Sequence, residues 1–199
     1  MIIYTLEILG TVIFALTGAL KGTQKHLDIF GVVVLSCCVG VGGGILRDAI
    51  IGNTPVNALT HPDFFITSIV TGVLVFFFAR YLKNRDMLIS VLDAFGLGVF
   101  TFTGANQAAV FDLNVIGIVL SGTITAVGGG VIRDVLSGDV PPTVLRTDFY
   151  ATATVLGGLL FCLLKYFELS FIIVFVTVFM FVTILRLIAL HFKINLPKS

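Results

Sequence analysis

Two seven-residue blocks carry the groups best suited to chemistry. Gly42-Gly43-Gly44-Ile45-Leu46-Arg47-Asp48 and Gly128-Gly129-Gly130-Val131-Ile132-Arg133-Asp134 share one pattern: three glycines, two apolar residues, an arginine and an aspartate. Both blocks sit in strongly apolar sequence. An ionisable side chain in such a setting is costly and usually faces a cavity or a partner charge. Three glycines in a row also weaken a helix, each by about 1 kcal/mol relative to alanine. Any backbone group they release must be covered by protein or water. One expectation is therefore that the helices carrying the blocks break or kink at 42–44 and 128–130 and line an aqueous path. The other is that the glycines only bring helices close together, as small residues do in membranes.

The arginines follow the glycines by one helical turn, about 5 Å. Each either lines that path or snorkels to the headgroups. Glu7 and Asp93, earlier in the chain, lie at the same depths as Arg47 and Arg133. Matching depth predicts the pairs Glu7–Arg47 and Asp93–Arg133. Arg47 and Asp48 are adjacent, so they should point apart rather than pair. Structural ion pairing and ion-path lining both remain open for these groups. Together with the six glycines, Glu7, Arg47, Asp48, Asp93, Arg133 and Asp134 are the candidate pore residues.

Nothing else forms a reactive constellation. No nucleophile–base arrangement is visible, and the glycine triplets lack the Gly-Lys-Ser/Thr of a phosphate loop. Cys37, Cys38 and Cys162 lie in apolar runs without metal or disulfide spacing and read as small buried side chains. His26, His61 and His191 are scattered near span ends. The chain is thus expected to be no enzyme, with no cofactor and no metal. A formal net charge of +1 points to no nucleic-acid partner.

The elements that position these groups follow from composition. Of 199 residues, 57% are hydrophobic and 12% charged, against about 25% charged in an ordinary soluble domain. No soluble fold of this length has interior enough for that apolar surface, so lipid must be its partner. A span needs about 20 apolar residues. Apolar runs between polar breaks give seven, at 2–20, 29–50, 63–82, 87–107, 113–136, 149–167 and 169–190. Alternate loops hold Lys21, Lys25, Arg80, Lys83, Arg85, Arg146, Lys193 and Lys198, and the opposite loops only Lys165. Cations accumulate on the cytoplasmic side, which puts the N-terminus outside and the C-terminus in the cytoplasm.

Shifting the chain by 86 residues aligns 1–82 with 87–168 without a gap and gives 22 identical pairs. Beyond the glycine blocks these include Phe14 with Phe100, Gly31 with Gly117, Gly52 with Gly138 and Pro55 with Pro141. Each unit holds three spans, an odd number, so the second copy enters the membrane from the opposite side. The expected fold is all-α: two inverted three-helix repeats, 1–82 and 87–168, followed by a seventh helix and cytoplasmic tail over 169–199, packed on the outside. Inverted repeats place a substrate or ion path at their interface near the midplane.

At the doubled glycine–arginine–aspartate block the chain resembles the prokaryotic trimeric intracellular cation channels (TRIC), over nearly its whole length. The resemblance implies a homotrimer in the inner membrane, with one pore per subunit. That pore would run between the second and fifth spans, kinked at 42–44 and 128–130, and pass potassium and sodium. Animal members carry a lysine-rich motif on the fifth span that engages a phosphoinositide. Here the stretch reads Gly130-Val131-Ile132-Arg133-Asp134, without those lysines, so membrane lipid is expected as a surrounding rather than through that motif. The alternative is a secondary transporter of a small amino acid such as glycine, as some bacterial relatives are described.

Overall fold

The structure is a computed structural model that describes residues 2–82, 85–139 and 150–192. These residues form helices only: α1 (Ile2–Gln24), α2 (Ile29–Ile51), the single turn α3 (Asn57–Thr60), α4 (Asp63–Phe78, extended by a 3₁₀ turn, Ala79–Tyr81), α5 (Arg85–Val110), α6 (Val115–Leu136), α7 (Ala151–Tyr166) and α8 (Phe171–Phe192). Six are long and apolar enough to cross a membrane, and α7, with 16 residues, is a shorter apolar helix. The expected spans therefore appear as six of full length and one short. Lys83, Pro141, Arg146, Lys193 and Lys198 lie outside the described residues.

The 86-residue shift holds in backbone geometry as well as in sequence. Asp28 opens α2 by accepting from the Gly31 N–H at 2.7 Å, and Asn114 opens α6 by accepting from the Gly117 N–H at 2.9 Å. Each supplies a side-chain oxygen to a helix-start amide that has no partner within the helix. The same helices end beside Gly52 (φ 76°) and Gly138 (φ 72°), a left-handed conformation that a β-carbon penalises. His26 (φ 56°) and Asp112 (φ 53°) also correspond. Hence α1, α2 and α4 match α5, α6 and α7.

At the centre, α2 packs against α6, with α1 against α2 and α5 against α6. Phe14 and Phe100 meet with ring centroids 5.1 Å apart. Because the shift exchanges these two residues, their contact lies where the two units face each other. Ser36 Oγ donates to the Ala15 carbonyl at 3.1 Å and Ser121 Oγ to the Gly104 carbonyl at 2.9 Å, so a hydroxyl ties the helices within each unit, although from positions that the shift does not pair.

The glycine triplets do not break their helices. Both α2 and α6 remain α-helical through 42–44 and 128–130, which corrects the expectation of a break and agrees with the alternative expectation of close helix packing. The reason is contact. A β-carbon on Gly43 would overlap the Thr125 carbonyl oxygen, and one on Gly129 would lie 2.7 Å from the Val39 carbonyl oxygen. The central glycine of each triplet is thus covered by the opposite helix's backbone. Close packing offsets the poor propensity, the small-residue mode of membrane helix association.

Helix α8 packs against α5 and α7. It buries Val178 and Val182 and exposes Ile172, Ile173 and Ile184. It is peripheral, as expected, yet its Arg186 is turned inward and is 3% exposed. The cysteines are half-buried rather than enclosed. Cys37 and Cys38 border an apolar groove with Phe65 and Ile132.

Candidate functional site

Two charged centres flank the α2–α6 crossing. In the first, Arg47 Nη1 donates to Glu7 Oε1 at 2.6 Å and Arg47 Nε donates to Asp48 Oδ1 at 2.9 Å. Asp48 Oδ2 accepts from the Asn57 N–H at 2.8 Å, so the single turn α3 exists in part to complete this carboxylate. In the second, Arg133 Nη1 donates to Asp93 Oδ1 at 2.8 Å and Arg133 Nε donates to Asp134 Oδ1 at 2.9 Å. All six side chains are buried, with Glu7 the most exposed at 7%.

The cross-helix pairs expected from depth are therefore formed. The expectation that each arginine would point away from its neighbouring aspartate is corrected. Successive Cβ atoms diverge on a helix, but the arginine arm is long enough to fold back and present Nε to the adjacent carboxylate. Each guanidinium thus holds two carboxylates. Buried charges need this degree of hydrogen bonding to offset their desolvation.

The centres lie at opposite ends of the molecule. Helix α1 contributes Glu7 to the first and Lys21 to the surroundings of the second, positions about 21 Å apart along a helix. The first centre borders a cavity of about 20 Å³ with Thr11, Gly44 and Phe64, room for roughly one water. The second borders a larger cavity of about 130 Å³ with Lys21, Asp86, Ser90 and Arg186. No residue lines both. Of the expected pore glycines, Gly44 lines a cavity, Gly43 and Gly129 sit in the crossing, and Gly42 faces Ile132 across it. Gly128 is also in the crossing, against Gly43, and Gly130 faces Tyr150 and Asp93.

The second centre is more elaborate. Tyr150 Oη donates to Asp93 Oδ1 at 3.3 Å, and the Arg186 guanidinium lies 4.9 Å from the centre of the Tyr150 ring, a cation–π distance. Among the described residues no donor reaches Asp93 Oδ2. At the cavity rim, Lys21 and Lys25 each place Nζ 2.6 Å from a carboxylate oxygen of Asp139. Hydrogen bonds from Lys21 and then Lys25 hold the Asp139 carboxyl down at about 2, from an ordinary 3.8.

Tyr150, Arg186 and Asn57 belong to the site without being among the residues expected from the sequence. Arg186 had a signal, a cation within an apolar run. Tyr150 had only its alignment with Phe64, and Asn57 acts through its backbone, which sequence does not advertise.

Comparison with known proteins places this arrangement. A family model described as glycine transporter matches residues 4–80 and again 90–166, the two halves of the repeat. The UPF0126 inner membrane protein YadS of Escherichia coli (strain K12) is 39% identical over 160 residues, 80% of this chain and 77% of that one. The TRIC trimeric intracellular cation channel orthologue from Rhodobacter sphaeroides has a similar structure. Its TM-score is 0.93 at 34% identity, covering 97% of this chain and 99% of that one. A structure described as the structural basis for conductance through TRIC cation channels matches with TM-score 0.89 at 36% identity, over 100% of this chain and 98% of that one.

Proposed function

Because the chain belongs to the TRIC family, the family whose model is described as glycine transporter, we propose that it is a passive monovalent cation channel, passing potassium and sodium. The observation that carries this reading is the pair of matched charged centres, one on each side of the α2–α6 crossing, each bordering its own cavity. The path would run from one centre to the other along α2 and α6, in a subunit shut at the glycine crossing. The first centre sets two carboxylates against one guanidinium, and the cavity at the second is lined by four carboxylates, Asp86, Asp93, Asp134 and Asp139, against three cations, Lys21, Arg133 and Arg186. That excess of negative charge favours cations over anions, since a low-dielectric site strengthens uncompensated charge.

The two units would be inverted in the membrane. The first centre would face outward and the second, with Lys21 and Lys25 at its rim, the cytoplasm. The chain would act as a homotrimer in a bacterial inner membrane, with a path in each subunit. Purified protein in a planar bilayer should give discrete conductance steps in potassium or sodium chloride.

A second reading, a carrier of a small amino acid such as glycine, has its own support. The family model carries that description, and two cavities sealed from each other at the repeat interface suit alternating access. Silent bilayers together with saturable glycine uptake into vesicles would favour the carrier and overturn the channel.

A further inference from the structure

The two centres match residue for residue, but a histidine stands beside the first alone: the second unit, 87–168, contains none. The single turn α3 (Asn57–Thr60) completes the first centre, where the Asn57 N–H donates to Asp48 Oδ2 at 2.8 Å. His61 closes that turn, its backbone N–H donating to the Asn57 carbonyl at 3.0 Å. The His61 ring stands beside Tyr4 of α1 and Phe64 of α4, with centroids 5.7 and 6.4 Å away. Tyr4 Oη in turn donates to Asp63 Oδ2, and Phe64 borders the first cavity. The 86-residue shift pairs Tyr4, His61 and Asp63 with Ser90, Thr147 and Phe149, so this cluster was added to one half only. We propose that His61 is a proton-operated brake on cation entry at the first centre. The proposal rests on the transport path described above and assigns its regulation.

Three observations point to a proton. Histidine changes charge within the physiological pH range, and His61 is exposed, so protons from the adjoining solution reach it. Second, its Nδ1 lies 2.9 Å from Thr60 Oγ1 and 3.3 Å from the Asn57 carbonyl oxygen, and Thr60 Oγ1 is 3.1 Å from that same oxygen. A neutral ring protonated at Nε2 accepts at Nδ1 and draws the Thr60 proton away from Asn57. An imidazolium donates from both nitrogens, which leaves the Thr60 hydroxyl to donate to Asn57. Protonation therefore tightens the turn that caps Asp48. Third, the new charge is held in place, with the Tyr4 ring at a cation–π distance and the Asp63 carboxylate on the far side of Tyr4. A fixed positive charge at the mouth of a centre that attracts cations opposes their entry. The ionisable groups around His61 are Tyr4 from α1 and Asp63 from α4, and beyond Phe64 the cavity adds Glu7, Arg47 and Asp48.

The test is potassium current through the full-length protein in planar bilayers, with one compartment taken from about pH 8 to pH 5, the range in which histidine titrates. His26 and His191 stand at the other end of the bundle, because α1 and α8 begin side by side at Ile2 and Phe171. Acid in the compartment that His61 faces therefore reaches this histidine alone. It should lower the current about fivefold, the shift set by one ordinary hydrogen bond. His61→Gln removes the titrating group at an exposed position and should hold the alkaline current throughout. His61→Arg, a permanent cation beside Tyr4, should keep the current low at every pH. Thermal melting of each variant shows that it is folded. A wild-type current that acid in neither compartment lowers, or a folded His61→Gln protein that responds as wild type does, would overturn the brake. If the wild type gives no steps but vesicles take up glycine, the channel reading fails instead. The brake then predicts acid-inhibited uptake that His61→Gln relieves, and identical pH profiles overturn it.

Discussion

Arg47 and Arg133 each hold two carboxylates, and that ratio decides which substitutions the centres tolerate. Arg47→Gln would leave Glu7 and Asp48 buried together without a cation, and losing one partner of a buried pair costs about 3–5 kcal/mol. Glu7→Gln keeps an acceptor for Arg47 and leaves the Arg47–Asp48 bridge intact, so it should cost distinctly less. Thermal melts in detergent should rank Arg47→Gln well below Glu7→Gln, and equal losses would contradict this charge count. The Asp139 tie behaves differently because it is partly exposed, at 28% of the side chain. Its carboxyl is held down to about 2 from 3.8, so its contribution is complete above the ordinary value and disappears as pH falls through that interval. Stability from this tie should not vary between pH 5 and 8. It should fall below about pH 4 and weaken in high salt, where exposed ion pairs are screened. Melting curves of wild type and Asp139→Asn across pH and salt would converge in acid.

At the scale of elements, the crossing of α2 and α6 separates glycines that look equivalent in sequence. Gly43 is pressed against the Thr125 carbonyl, while Gly44 faces open space. Gly43→Ala should therefore force the helices apart and reduce melting temperature or assembly before any effect on transport can be read. Gly44→Ala should fold at least as well as wild type, since alanine is favoured in a helix by about 1 kcal/mol. It would also narrow the small first cavity and lower flux per folded protein. The opposite ranking in stability would mean that the crossing is not the tight contact described above. Gly129→Ala, whose β-carbon would lie 2.7 Å from the Val39 carbonyl oxygen, should resemble Gly43→Ala.

At the scale of the whole molecule, the proposed inversion of the two units makes a topological prediction. The α1–α2 turn and the loop after α2 lie at opposite ends of α2. In a background with Cys37, Cys38 and Cys162 replaced by alanine, His26→Cys should react with a membrane-impermeant maleimide only from the cytoplasmic side. Thr54→Cys should react only from outside. Labelling of both from one side would refute the topology, the inversion and the path together. Light scattering of the detergent-solubilised protein should give three copies of the 21.4 kDa chain.

The sequence alone determined the helical class, the positions of the long helices, the repeat and the pairs Glu7–Arg47 and Asp93–Arg133. These follow from properties that act along the chain: the length of apolar runs, the 86-residue identity, and the rule that a charge at a given depth needs a partner there. The tertiary structure decided what the glycines do. A triplet's poor propensity is visible locally, but the backbone of another helix that covers Gly43 is not, so the sequence left a break and a contact both open at 42–44. It also decided that Arg47 and Arg133 fold back onto Asp48 and Asp134, because the reach of a flexible arm is not set by the direction of its Cβ. The difference between the two centres is tertiary too. Tyr150 and Arg186 come from the start of α7 and from a helix outside the repeat, and only packing brings them to Asp93 and Gly130, where one hydroxyl fills a space that its counterpart leaves open.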